Sequence, residues 1–365
     1  MKKFFFLFPA ILLVFSFKAF GASIQPVDLV SQVSSLKDKD TLSFCGERVP
    51  IENRDVKERF EKELLLSIWD RPQVILWLKR SRRYLPYIEN MLRESDMPDD
   101  IKYLAIAESA LRPHAGSRKG AVGFWQFLAD TGQKYGLIIN KNIDERRNIF
   151  ASTQAAIKYF KVLYQSMGTW TLAAAAYNMG EEGLQAEMMV QNTRDYYRLY
   201  LPLETQRFIF RILSVKLILL DPVKFGFNLN NHDYYPPLEF DRIRIDCFQE
   251  IPISLIAGAC QTEFKVIKDL NPEIRGHYLT EGTHTLLIPK GARKGFHTRY
   301  EKRVKDYQAD KTSRIYVIKE GDNLSSIAEK FDVPLAVLII WNRIHLNEPI
   351  HPGDRLIIHP RKKIE

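Results

Sequence analysis

From Asn53 to about Leu220 apolar residues recur at spacings of three and four, the period of helices that bury one face. Leu64, Leu65, Ile68, Trp69, Ile75, Leu76 and Leu78 mark one long stretch, Glu58 to Lys79. Pro72 within it is expected to kink or split the helix, because its ring removes a hydrogen bond and crowds the preceding turn. Pro98-Asp99-Asp100 reads as a helix start, with proline and acids in the first turn. That helix is expected from Ile101 to Leu111, stopping before Pro113. A Gly-rich loop, Gly116 to Gly123, precedes helices near Trp125–Tyr135, Phe150–Met167, Thr171–Asn178 and Glu204–Leu220. This half of the chain is all-α.

After Asp221-Pro222 the texture changes. A polar, Tyr/Pro-rich connector, Asn228 to Pro237, leads into two stretches that resemble each other. Ile253, Ile256-Ala257, Phe264, Ile267 and Leu270-Asn271 match Leu324, Ile327-Ala328, Leu335, Leu338 and Trp341-Asn342 at an offset of 71. Leu286-Leu287-Ile288 matches Leu356-Ile357-Ile358 at 70. A repeat of that length predicts two copies of a small βααβ module. Between them, Ala292 to Arg314 carries Arg293, Lys294, Arg299, Lys302, Arg303 and Lys305 and reads as a basic, partly helical linker.

The first residues have a different character. Lys2 and Lys3, an apolar run from Phe4 to Phe17 and a small-residue site near Gly21-Ala22 have the form of a cleaved signal peptide. The run is short for a membrane span, and without a cysteine at the site a lipoprotein is not indicated. The expectation is an exported protein of the periplasm or cell envelope. Cys45, Cys247 and Cys260 are odd in number; Cys247 and Cys260 either bridge or are buried thiols, and no metal site is indicated. The net charge of +9 suits anionic wall polymers or lipid head groups, and equally a surface kept soluble by charge. Nucleic acid is excluded as a partner for an exported chain.

Glu108 stands out chemically. Ile101, Leu104, Ala105, Glu108 and Leu111 share one helical face, so a carboxylate sits on an apolar stripe. Such a carboxyl is costly unless paired, hydrogen-bonded or protonated, and desolvation favours the protonated form that a general acid needs near neutral pH. By itself the pattern favours a structural glutamate paired with Arg112 or with an arginine of another helix. Its company reverses that reading: Glu108-Ser109, then Gly120-Ala121-Val122-Gly123-Phe124-Trp125-Gln126, then Ala176-Tyr177-Asn178-Met179-Gly180, then Leu201-Pro202-Leu203-Glu204-Thr205.

In these blocks the chain resembles the lytic murein transglycosylases of the type D branch, whose catalytic domain is goose-lysozyme-like. The resemblance implies Glu108 as the single acid and then base of a non-hydrolytic cut at the MurNAc-GlcNAc bond, leaving 1,6-anhydro ends. It implies substrate contacts from Ser109, Gln126, Tyr177, Asn178 and Glu204, with Gln126 donating amide hydrogen bonds to N-acetyl groups. Asn178 is equally read as a helix terminator, and Glu204 as a helix-opening acid. Most glycosidases use two carboxylates; the blocks offer one, with Glu204 as the best second. A hydrolytic muramidase on the same scaffold and a non-catalytic wall-binding protein remain the alternatives.

A second resemblance is to LysM, carried by Tyr316 to Ala328, Trp341-Asn342 and Pro352-Gly353-Asp354-Arg355-Leu356. It implies glycan contacts from Gly321, Asp322, Leu324, Asn342, Pro352 and Gly353. The first copy lacks the Gly-Asp pair. The expected fold is therefore mainly α, a lysozyme-like catalytic domain followed by two small α+β modules. Expected boundaries are a signal peptide at 1–22, an N-terminal helical extension at 23–75, the catalytic domain at 76–222, a connector and LysM-like module at 223–291, the linker at 292–313 and LysM at 314–360. No cofactor or metal is expected; the expected partners are glycan strands, with peripheral association with the envelope, and the chain is expected to be a monomer.

Overall fold

A computed structural model describes residues 42–313, 315–342, 344 and 349–358. The expected signal peptide lies outside the described residues. Three hydrophobic cores follow one another along the chain, running from Leu42 to Phe227, from Ile243 to Tyr300 and from Ile318 to Ile358.

The first core is helical. A short hairpin, β1 (Ser43–Phe44) and β2 (Glu47–Arg48), opens it. Helix α1 (Arg54–Trp69) is capped by Asn53, and α2 (Arg71–Glu94) by Asp70. The expected long helix is thus split at Asp70, with Pro72 in the first turn of α2, where its missing N–H costs nothing. Helices α3 (Lys102–Ser109), α4 (Ala129–Lys134), α5 (Ile149–Met167), α6 (Trp170–Met179), α7 (Glu181–Val190) and α8 (Leu203–Leu220) complete it. The run Ala173–Ala176 is fully buried; side chains this small let α6 approach α5 and α8 closely.

The expected boundary between residues 75 and 76 does not correspond to a break. Position 76 falls inside α2, and α1 packs on α8 in the same core, so the N-terminal extension is part of the helical domain. The buried Glu63 of α1 is ion-paired with Arg207 of α8, and Lys216 of α8 binds Asp100 at 2.8 Å.

The second core is built from β3 (Phe240–Cys247), β4 (Ile251–Pro252), α9 (Ile253–Ala259), α10 (Phe264–Leu270), β5 (Tyr278–Leu279) and β6 (Gly282–Pro289), with β3 antiparallel to β6 in the register Ile243↔Leu286. Residues 292–313 are no linker: helix α11 (Phe296–Ser313) buries Phe296 and Tyr300 in this core and packs on α9. Arg299 Nε donates to Ala259 O at 2.6 Å at the end of α9, so part of the basic run serves as a helix cap. Cys45, Cys247 and Cys260 are free thiols, the latter two buried.

The third core holds β7 (Ile315–Val317), α12 (Leu324–Lys330), α13 (Leu335–Asn342) and β8 (Arg355–Ile357). The two modules share one internal strap. Asn271 Nδ2 donates to Ile267 O (2.8 Å) and Leu287 O (2.7 Å), and its Oδ1 accepts from Leu287 N (2.8 Å). Asn342 repeats this with Leu338 O (2.9 Å), Ile357 O (3.0 Å) and Ile357 N (2.6 Å). Both copies thus have the expected strand–helix–helix–strand order.

The first module is docked on the helical domain by its own backbone. Asp144 N donates to Glu273 O and Arg275 N to Asn142 O, both at 2.8 Å, around an Ile143↔Ile274 bridge. Among the described residues no helix is long and apolar enough to cross a membrane.

Candidate active site

Helix α3 stops abruptly. Ala110 and Leu111 adopt left-handed backbone at φ 53° and 56°, which is uncommon for residues with a Cβ. The helix therefore ends at Ser109, two residues before the expected stop. Arg112 Nε donates to Ser109 O (3.1 Å) and Arg80 to Ala110 O (3.2 Å), satisfying carbonyls that the helix end leaves free. Arg112 is thereby committed to the backbone rather than to Glu108.

Glu108, in the last turn of α3, is half-buried. The surrounding protein displaces water from its carboxyl, and this burial pushes its pKa up to about 8. Two groups on α8 modulate it: the Arg211 guanidinium lowers its proton affinity and the Glu204 carboxylate raises it. They stand seven residues apart, two helical turns, on the face that α8 turns to α3.

Beside α3 runs the 115–127 loop. Gly123 has φ 84°, and a Cβ there would lie 1.8 Å from Arg146 O, so only glycine fits. Arg146 holds the loop from behind. It pairs with the buried Asp144 through Nε (2.8 Å) and Nη2 (2.9 Å), and its Nη1 donates to Gly120 O (3.0 Å) and Phe127 O (3.2 Å). The helix expected from Trp125 begins only at Ala129, and the residues before it form this tight loop. Phe124 and Trp125 are both core residues; Trp125 Nε1 donates to Thr153 Oγ1 at 3.0 Å.

Gln126 is left-handed at φ 50°. Its Nε2 donates to Gly123 O (2.8 Å) and Ala115 O (3.3 Å). The amide protons are therefore committed inward, and the group it can offer a ligand is the acceptor Oε1, not the donor expected from the sequence.

Tyr177, on α6, stacks on Phe160 (4.7 Å between ring centroids) and donates its hydroxyl to Trp125 O at 2.6 Å. It thus ties α6 to the residue before Gln126. Its pKa is raised well above the usual phenol range by burial first and by the Glu108 charge second, so it remains an O–H. Asn178 lies in the last turn of α6, which Gly180 terminates. Its Oδ1 accepts from Thr205 Oγ1 at 2.9 Å, so the group it can still offer a ligand is the Nδ2 donor.

The structure thus brings Glu108, Tyr177 and Glu204 into one electrostatic neighbourhood and links Gln126 and Asn178 to it through Trp125 and Thr205. Ser109 does not join them. It is only 2% exposed, and its Oγ contacts Ala105 O (2.9 Å) and Phe124 O (2.8 Å), so it fastens the loop to α3 and cannot touch a substrate.

The LysM residues divide likewise. Gly321, Pro352 and Gly353 are exposed, and Gly353 N donates to Ile318 O at 2.9 Å, which sets their two loops side by side. Asp322 instead closes its turn, accepting from Tyr316 Oη (2.7 Å) and Lys319 N (2.8 Å). Leu324 packs against the third core and Asn342 is the strap described above. These three hold the module together.

The transglycosylase SLT domain family matches residues 86–199, and the LysM domain family matches residues 316–359. The chain carries an SLT transglycosylase domain and a C-terminal LysM domain. It is 29% identical over 338 residues to the membrane-bound lytic murein transglycosylase D of Escherichia coli strain K12, covering 88% of this chain and 73% of that protein. The same figures hold for the protein of that name from E. coli O6:H1 strain CFT073. The crystal structure of the 70 kDa soluble lytic transglycosylase of E. coli covers 48% of this chain and 27% of its own, at 16% identity and a TM-score of 0.30, too slight to establish a shared fold.

The matched SLT segment contains Glu108, Gln126, Tyr177 and Asn178 but ends before Glu204 and Arg211. Arg211 was not legible as a site residue. Its only signal is the seven-residue spacing from Glu204, which Arg207 and Lys216 on the same helix obscure. Thr205 and Arg146 reveal themselves only through their contacts. Among the described residues no group of three or more His, Cys, Asp or Glu is placed to hold a metal ion.

Proposed function

We propose that the chain is a peptidoglycan lytic transglycosylase in which Glu108 is first acid and then base. The observation that carries the assignment is a half-buried glutamate on an apolar helical face whose proton is held near neutral pH by burial. Glu108 donates its proton to the glycosidic oxygen between MurNAc and GlcNAc as the C1–O bond breaks. The C6 hydroxyl oxygen of the same MurNAc then bonds to C1, and its proton passes to the Glu108 carboxylate. No water is consumed, and the enzyme returns to its starting protonation state.

In this reading Arg211 steadies the transient Glu108 carboxylate. Gln126 Oε1 accepts from, and Asn178 Nδ2 donates to, the N-acetyl and hydroxyl groups flanking the bond. Tyr177, its hydroxyl committed to Trp125, holds the loop that presents Gln126. The LysM domain holds the glycan along the exposed loops of Gly321 and of Pro352-Gly353. The substrate places the chain outside the cytoplasm, exported to the periplasm or envelope.

Glu204 supports a second reading, a muramidase in which an exposed carboxylate facing Glu108 activates water. Digestion of purified peptidoglycan separates the two. Fragments with 1,6-anhydro ends support the transglycosylase; fragments one water heavier overturn it.

A further inference from the structure

A cleft of about 560 Å³ opens where the first module meets the helical domain, a volume suited to a small ligand. It is lined on one side by Glu145 and Asn148 and on the other by Arg242, Glu273, Glu281 and His284. Glu273 is 6% exposed. Its Oε1 accepts from Asn148 Nδ2 at 2.9 Å, while its Oε2 has no partner among the described residues. A buried carboxyl oxygen without a partner is costly, and Lys268 favours its charged form only from a distance. Lys268 Nζ donates instead to the carbonyls of Ile274 and Gly276.

Carboxyls from both sides thus meet in the cleft. Among the described residues Glu145 Oε2 accepts only from Ile138 N, at 2.7 Å. Arg242 supplies the opposite charge: it is exposed, lies over the Phe150 ring at 4.4 Å and forms no ion pair among the described residues. An unsatisfied acidic floor beside a free guanidinium is complementary to a ligand carrying both an ammonium and a carboxylate. The cleft adjoins the Glu108 site through a shared wall, since Gly123 packs on Arg146 two residues before Asn148.

We infer that this cleft binds the zwitterionic amino-acid end of a peptide stem on the glycan strand, with its ammonium at Glu273 and Glu145 and its carboxylate at Arg242. The inference rests on the murein substrate proposed above and names the part of it that the first module reads.

The test uses the full chain carrying Glu108→Gln and two synthetic stem peptides ending in a diamino acid, one with its free amine and one with that amine acetylated. Calorimetry should show binding of the free amine, weakened at least tenfold by acetylation. Glu273→Gln, nearly the same shape, should weaken binding similarly, as should Arg242→Ala, an exposed substitution that spares folding. Absence of binding, equal binding of the two peptides, or indifference to both substitutions overturns the inference. Cleavage of purified sacculi by the wild-type chain is scored in parallel. Cleavage without stem binding sinks the cleft alone, and stem binding without cleavage sinks the proposed activity alone.

Discussion

The Arg211 guanidinium acts on the Glu108 carboxyl across the contact between α3 and α8, yet among the described residues the two form no ion pair. With Glu204 two turns earlier on α8, Glu108 has opposing charges on one neighbouring helix, and its acidity, set first by burial, is adjusted by both. Removing either one moves that acidity in a defined direction. Arg211→Met removes a group that favours the carboxylate, so the Glu108 pKa rises. Glu204→Gln removes a group that disfavours it, so the pKa falls. Because the first step needs the protonated acid, the alkaline limb of the pH–kcat/KM profile for murein cleavage should move up in Arg211→Met and down in Glu204→Gln. Shifts in the same direction would exclude this arrangement.

Glu108→Gln should abolish cleavage, by at least about a thousandfold, and leave wall binding intact, as read by pelleting with sacculi. It should also stabilise the fold at alkaline pH. The folded pKa of Glu108, about 8, lies above the ordinary carboxyl value of 4.5, so between these pH values the folded state holds more protons than the unfolded state. Stability from this group is fully present below about 4.5, falls as pH rises and is gone above about 8. The Gln variant lacks the ionisation, so its advantage over wild type should grow across that window to roughly 1–3 kcal/mol, discounted for the solvent that reaches the carboxyl. Thermal unfolding of both proteins at pH 5 and pH 9 measures it.

Gly123→Ala should destabilise the helical domain and impair catalysis together. The added Cβ would sit 1.8 Å from the Arg146 carbonyl in backbone at φ 84°, so the loop must move. Strain of this kind costs about 2–4 kcal/mol. The moved loop carries Gln126 and the Trp125 carbonyl that Tyr177 binds. A variant with unchanged Tm would show that the loop has more freedom than this contact allows.

What the sequence made legible, and what it did not, follows from the range of each interaction. Periodicity placed α1, α5, α6, α8 and the start of α2, which runs on from the expected end at Lys79 to Glu94, and Pro72 marked the break at Asp70 because its effect is local. It missed α7, whose polar Glu181-Glu182-Gly183 start hides the pattern, and it extended a helix back to Trp125 because the buried aromatics there fill the core from a loop. The basic run at 292–313 looked like a linker because its charges outnumber Phe296 and Tyr300, the two residues that anchor it. Glu108 could be singled out from its helix alone, since a carboxyl on an apolar face is a local anomaly. The commitments of Ser109 and of the Gln126 amide could not, because they depend on carbonyls brought near by the chain's turn at Gly123.

The paired straps make the last prediction. Asn271 and Asn342 each bind the N–H and C=O of one strand residue, Leu287 and Ile357, and a carbonyl of their own helix. Alanine at either position removes the bonds that tie the helix to the strand, at a cost of about 2–3 kcal/mol, a large share of the stability of so small a module. The consequences should differ, because the surroundings differ. The first module is docked on the helical domain through Glu273 and Arg275, so Asn271→Ala should lower the Tm of the whole chain and slow cleavage by loosening the cleft wall. The LysM core holds seven buried apolar residues of its own among the described residues. Asn342→Ala should therefore unfold it locally, reducing retention on sacculi while cleavage of short soluble glycan fragments stays within about twofold of wild type. Equal losses of soluble-fragment cleavage in the two variants would mean that the LysM domain is coupled to the active site and does not act as a separate anchor.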